Sequence, residues 1–97
     1  MADISIHSDA EAEYEAALAW YLARSARAAD GFEEAFERAL ESIAANPQLH
    51  PLYDDRHRFC LLRRYPYSLI YRVDGDQVRV VAVAHSRRLP GYWSGRT

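Results

Sequence analysis

The stretch "PYSLIYRVDGDQVRVVAVAH", residues 66–85, decides the fold. Two runs rich in β-branched and aromatic residues flank Asp74-Gly75-Asp76. Gly75 can take the positive φ that a tight hairpin needs and other residues resist. In the first run Tyr67, Leu69, Tyr71 and Val73 fall on one face, the period of two that belongs to a strand. The second run, Gln77 to His85, is apolar on both faces over its later half, as a central strand covered on both sides would be.

Working upstream, "HRFCLLR" (57–63) alternates weakly and supplies a third strand of an antiparallel meander. Residues 47–56, "PQLHPLYDDR", hold two prolines and no periodicity, and form a loop. Before them Phe32, Ala35, Phe36, Ala39, Leu40 and Ile43 make the apolar face of a helix that Asn46 and Pro47 end. An earlier helix starts near Asp9, where Ser8 and Glu11 have the spacing of a capping box. Its stripe is Tyr14, Ala17, Leu18 and Tyr21 with Leu22 beside it; Trp20, off the stripe, is expected to pack on a neighbouring element. Glu11, Glu13 and Glu15 near its start and Arg24 near its end suit the helix dipole. The short break between the helices predicts an antiparallel pair. "DISIH" (3–7) is a first strand, pairing at an edge or beside the last strand.

The fold class is therefore α+β, in the order β-α-α-β-β-β, with the helix pair on one face of a mainly antiparallel sheet. At 97 residues, 49% of them hydrophobic, the chain is expected to form one domain over 1–97 with a modest core. Its longest apolar run, Ala16 to Ala23, is too short to span a membrane. Asp3 and Asp9 stand where a secretion signal would be basic and then apolar, and Cys60 has no cysteine partner; both point to a reducing cytoplasm.

Charge is distributed unevenly. Residues 1–50 hold ten Asp and Glu against three Arg, and residues 51–97 hold four acids against nine Arg. The basic second half would attract phosphate or an acidic peptide. All twelve basic side chains are arginine, which suits bidentate phosphate recognition. Sixteen alanines leave a genome biased toward Ala and Arg codons as an alternative.

The ending "AHSRRLPGYW" (84–93) concentrates groups able to do chemistry. Histidine, as at position 85, is a residue type able to transfer protons near neutral pH, and arginine meets phosphate. Tyrosine can stack on a base. His85, Arg87 and Tyr92, with Arg58, Arg63, Arg64 and Arg88, are the candidate site residues. These arginines are expected to converge with His85 in one positive concavity on the open side of the sheet. The alternatives are a strand-end histidine bonded to backbone, solvated arginines or ion pairs with Glu33, Glu34 and Glu37, and a Tyr92–Trp93 pair folded back on the core. Tyr65, Tyr67 and Tyr71 fit sheet packing. His50, His57 and Cys60 follow no common zinc spacing, so no metal is expected. No phosphate-cradling glycine loop is present, and no cofactor is expected.

The core "PYSLIYRV-DGD-QVRVVAVAH" and the ending H-x-R-R-x-P-x-Y-W-x-x-R resemble the RelE/ParE family of bacterial toxins, the plasmid stabilisation proteins of type II toxin–antitoxin systems. The likeness covers nearly the whole chain and is strongest from Arg63 to Arg96. It implies a toxin held inactive by a cognate antitoxin whose extended or helical tail masks the working surface. Promoter DNA would be reached only through that antitoxin. RelE-like members enter the ribosome and cut mRNA; ParE-like members share the fold and poison DNA gyrase. His85 and Tyr92 resemble the nuclease groups, and ribosome-dependent cleavage is the leading expectation. Metal-free cleavage needs proton transfer at the 2′-hydroxyl and the leaving oxygen, with fixed donors for the phosphorane charge. The resemblance thus implies His85, Arg87 and Tyr92 as catalytic, with Arg58, Arg63, Arg64 and Arg88 binding RNA phosphate. Ser68, however, stands where cutting members carry arginine before Leu-x-Tyr. Asp54 and Asp55 interrupt a segment that is usually basic. Gyrase inhibition, or a decayed toxin that only binds its antitoxin as corepressor, are the alternatives.

Overall fold

A computed structural model describes residues 1–97. The elements are β1 (Asp3–Ile6), α1 (Ser8–Leu22), α2 (Ala26–Ala45), β2 (Arg58–Leu61), β3 (Tyr67–Asp74) and β4 (Gln77–His85), an α+β arrangement. The sheet order is β1-β4-β3-β2. The meander is antiparallel, and β1 lies at the edge, parallel to β4, with Ile4 opposite Val78 and Ile6 opposite Val80. The first strand thus satisfies both expectations at once: it is an edge strand and it neighbours the last.

The start of α1 differs from the capping box. Ser8 is the first helical residue, and His7 caps the helix by accepting the Asp9 N–H on Nδ1 at 3.0 Å. A histidine ring nitrogen has taken the place of the expected hydroxyl. For α2 the cap is Ser25, whose hydroxyl accepts the Ala28 N–H at 3.2 Å, and Asn46 ends the helix. Tyr14 meets Phe36 at 4.2 Å between ring centroids, and Tyr21 meets Phe32 at 5.2 Å. Early residues of α1 therefore face late residues of α2, as an antiparallel pair requires.

The main core lies between this pair and the sheet, around Phe32, Ile43, Leu69, Tyr71, Val78 and Val80. Tyr71 is fully buried, yet its hydroxyl donates to the Pro47 carbonyl at 2.6 Å, and burial pushes its pKa up to about 12. That bond, together with the Arg58 bonds to the His50 carbonyl (2.6 Å) and Gln48 Oε1 (2.9 Å), holds the 47–50 loop against the sheet.

A bulge in β4 decides which face each later side chain takes. Ile70 pairs with Ala82 and Tyr71 with Val80, so Val81 is an extra residue. Before the bulge Val78 and Val80 face the helices; after it Val83 does, while Val81 and Ala82 face the other side. Alternation then carries His85 to the helix side. On the opposite face Trp93 folds back over Ile70, Val81 and Ala82 and is 2% exposed. The C-terminal aromatic pair is thus packing, as one of the two sequence readings held.

Candidate functional site

Four candidate residues, His85, Arg87, Arg88 and Tyr92, meet at the end of β4. His85 pairs with Tyr67 across β3–β4, and their rings touch edge to face at 4.9 Å. The His85 Nδ1 accepts the Arg87 backbone N–H at 3.0 Å. Nδ1 therefore carries a lone pair, which leaves Nε2 as the ring's N–H. Two hollows open beside this histidine. One, of about 420 Å³, lies between α1 and the sheet end and is walled by Ala17, Trp20, Tyr21, Tyr67 and Val83, with His85 and Arg88 at its polar side. The other, of about 200 Å³, is on the opposite face and includes Ser68, Ala84, His85, Arg88 and Trp93. Trp20 does not pack into a neighbour as expected. It is 51% exposed, with the Arg24 guanidinium 3.6 Å above its ring.

Tyr92 is engaged at both its hydroxyl and its ring. The hydroxyl donates to Glu13 Oε2 at 2.6 Å, and the Arg88 guanidinium lies 3.9 Å over the ring centroid, leaving that face no room for a base. Burial and the neighbouring Glu13 carboxylate raise the Tyr92 pKa far above that of a free phenol, so the proton stays on oxygen. Glu13 is the hub. Its carboxylate also accepts the Val83 amide at 3.0 Å and two Arg96 N–H groups at 2.8 and 3.2 Å. Burial alone would raise the Glu13 pKa, but Arg96, Tyr92 and the Val83 amide outweigh it and hold the group below the usual range. Arg96 in turn donates to the Val81 carbonyl at 3.0 Å. The set pins the C-terminal segment to α1 and β4.

The candidate arginines do not converge in one concavity, and the bulge leaves His85 at the sheet's end, bordering hollows on both faces, rather than central on the open side. Arg87 and Arg88 stay near His85. Arg63 and Arg64 belong to the turn after β2 and line a separate hollow against α2. Arg58 is occupied by the 48–50 loop. The reason is register: β2 and β4 flank β3 on opposite sides, which places the turn after β2 two strands from His85, roughly 10 Å away.

His57 is a buried polar residue. Its Nδ1 lies 3.0 and 3.1 Å from the two Asp54 carboxylate oxygens, and its ring is 4.7 Å from that of Trp93. Burial would raise the Asp54 pKa, but the Arg56 amide and His57 lower it. The pair anchors the loop before β2. No group of three or more His, Cys, Asp or Glu side chains stands together in a way that could hold a metal ion. No helix is long and apolar enough to cross a membrane.

Glu13 and Arg96 escaped the sequence reading. The signal was available: Glu13 lies four residues before Ala17, on the buried stripe of α1 extended back toward Ala10. An acid on an apolar stripe calls for a cationic partner.

Among solved structures, a chain described as "Chromosomal ParDE TA system from P. aeruginosa" superposes with a TM-score of 0.64 at 19% sequence identity, over 88% of this chain and 96% of that one. At that identity the likeness establishes the fold. None of the curated proteins matches the sequence. The family model described as "ParE toxin of type II toxin-antitoxin system, parDE" matches residues 4–90, from within β1, through both helices, to beyond the end of β4. With this match over most of its length, the chain belongs to the ParE toxin family of type II toxin–antitoxin systems.

Proposed function

We propose that this ParE-family toxin arrests growth by binding DNA gyrase, without cutting RNA, and that a cognate antitoxin silences it. The observation that carries this reading is Ser68. It lines the same hollow as His85, Arg88 and Trp93, at the position where RNA-cutting relatives of the wider superfamily carry arginine. A serine hydroxyl cannot neutralise a phosphorane, and loss of one such donor costs about 2.7–4 kcal/mol of transition-state stabilisation. The occupied Tyr92 and the dispersal of Arg58, Arg63 and Arg64 weigh the same way. A second reading, ribosome-dependent mRNA cleavage with His85 and Arg87 catalytic and Tyr92 positioning a base, draws support from the proximity of His85, Arg87 and Arg88.

Inducing the chain without antitoxin separates these readings. Gyrase inhibition gives a DNA-damage response, loss of supercoiling by purified gyrase, and toxicity that survives combined His85→Ala and Arg87→Ala. Truncated transcripts on ribosomes, abolished by that double variant, would replace it with nuclease action. Normal growth with neither sign would leave a corepressor that only binds its antitoxin.

A further inference from the structure

The hollow between α2 and the turn joining β2 to β3 takes no part in the site at His85. It encloses about 290 Å³ between Arg38 and Glu34 on one wall and Arg63 and Arg64 on the other, with Gly31 and Ala35 at its base. Arg64 adopts φ +71°, and it is the sole non-glycine residue at positive φ in the chain. A left-handed backbone at a residue with a Cβ costs roughly 1–2 kcal/mol, and such strain persists only where its surroundings enforce it.

Here the enforcement is visible. The neighbouring Tyr65 hydroxyl donates to the Ala28 carbonyl of α2 at 2.8 Å. That approach requires glycine at position 31, where a Cβ would lie 2.3 Å from the Tyr65 oxygen. The turn is therefore held against α2 with Arg64 strained. Neither Arg63 nor Arg64 makes a side-chain hydrogen bond or ion pair, whereas Glu34 accepts a bond from Arg38 at 2.7 Å. Three guanidinium groups face one carboxylate, a local excess of two positive charges.

We propose that this hollow binds a phosphate group, with Arg63 and Arg64 as its principal donors and Arg38 oriented beside them by Glu34. The excess charge matches a phosphate dianion, and planar guanidinium forks match its oxygens. Nothing at the site reads a base. The Tyr65 ring is turned into Tyr21 and Phe32, at 5.1 and 5.5 Å, and is lost as a stacking platform. The phosphate is thus recognised alone, whether a small phosphorylated molecule or a nucleic-acid backbone carries it. This site stands independently of the gyrase reading.

The test is amide chemical-shift titration of the full chain with inorganic phosphate, with a short DNA duplex and with an acidic peptide. Saturable shifts confined to 31–38 and 63–65 are expected with phosphate or duplex. Phosphate binding alone identifies a small ligand, and tighter binding of the duplex identifies a backbone phosphate. Arg63→Gln and Arg64→Gln should each weaken binding about tenfold. Arg64→Gly should weaken it equally while leaving the fold intact by circular dichroism, since glycine accepts the backbone conformation. Shifts spread over Arg56, Arg72 and Arg79 as well, saturation by the acidic peptide alone, or no shift with any of the three would overturn the proposal.

Discussion

The Tyr92 hydroxyl and the Glu13 carboxylate stand 2.6 Å apart across a sequence separation of 79 residues. This bond, with the Arg96 pair at 2.8 Å, closes the C-terminal segment over the end of the sheet. The side chains of Glu13 and Arg96 are 16% and 17% exposed, sheltered enough for their pairing to affect stability.

Glu13→Ala should destabilise the protein by about 2–3 kcal/mol. Removing one partner of a buried pair costs more than that, and residual solvent reduces it here. Urea unfolding followed by circular dichroism should show a lower midpoint at unchanged slope. Loss of half a kilocalorie or less, on the order of a surface substitution, would contradict the role given to Glu13.

Acid should act through the same carboxylate. The folded-state pKa of Glu13 lies below its ordinary value of 4.5, so its contribution is present above that value and is lost as pH falls through the lower, folded one. Stability should therefore decline below about pH 4.5. Glu13→Gln should flatten this decline, leaving a residual slope from Asp54, whose pKa is shifted the same way. Identical acid limbs in both proteins would refute the assignment.

Gly31→Ala would ordinarily stabilise a helix by about 1 kcal/mol. Here the new Cβ would meet the Tyr65 oxygen at 2.3 Å, and the ring is fixed between Tyr21 and Phe32. A net loss of roughly 1–2 kcal/mol is expected. Combining it with Tyr65→Phe should recover part of that loss in a double-mutant cycle, because the clashing atom is gone. Additive effects would rule out the contact.

The two tryptophans should differ in solution. Trp93 is 2% exposed and Trp20 51%. In Trp20→Phe, the remaining emission should be blue-shifted and resistant to iodide; in Trp93→Phe, the remaining Trp20 should be readily quenched. Trp93→Ala should cost about 3–5 kcal/mol, read from the thermal midpoint.

Much of this architecture was legible from the chain. The Asp-Gly-Asp hairpin, the doubly apolar run of β4 and the Phe32–Ile43 stripe are local patterns, and local patterns survive translation into structure. The site was less legible because it depends on parity and register. A single extra residue at Val81 changes which side of the sheet His85 faces, and nothing in "QVRVVAVAH" marks where the bulge falls. Likewise Arg63 and Arg64 are near His85 in the charge map of the sequence, but β3 lies between their strands. Ser8 suits a cap by composition, and a histidine took the role because its ring nitrogen, one residue earlier, reaches the Asp9 amide.

The parallel pairing of β1 with β4 has a consequence for biosynthesis. Ile4 and Val78 are neighbours in the sheet, so β1 leaves the ribosome long before the strand it pairs with is made. Closing so long a loop comes late in folding. A nascent chain halted before β4 emerges holds β1 with no strand to zip onto, and the sheet closes only once β4 has been made.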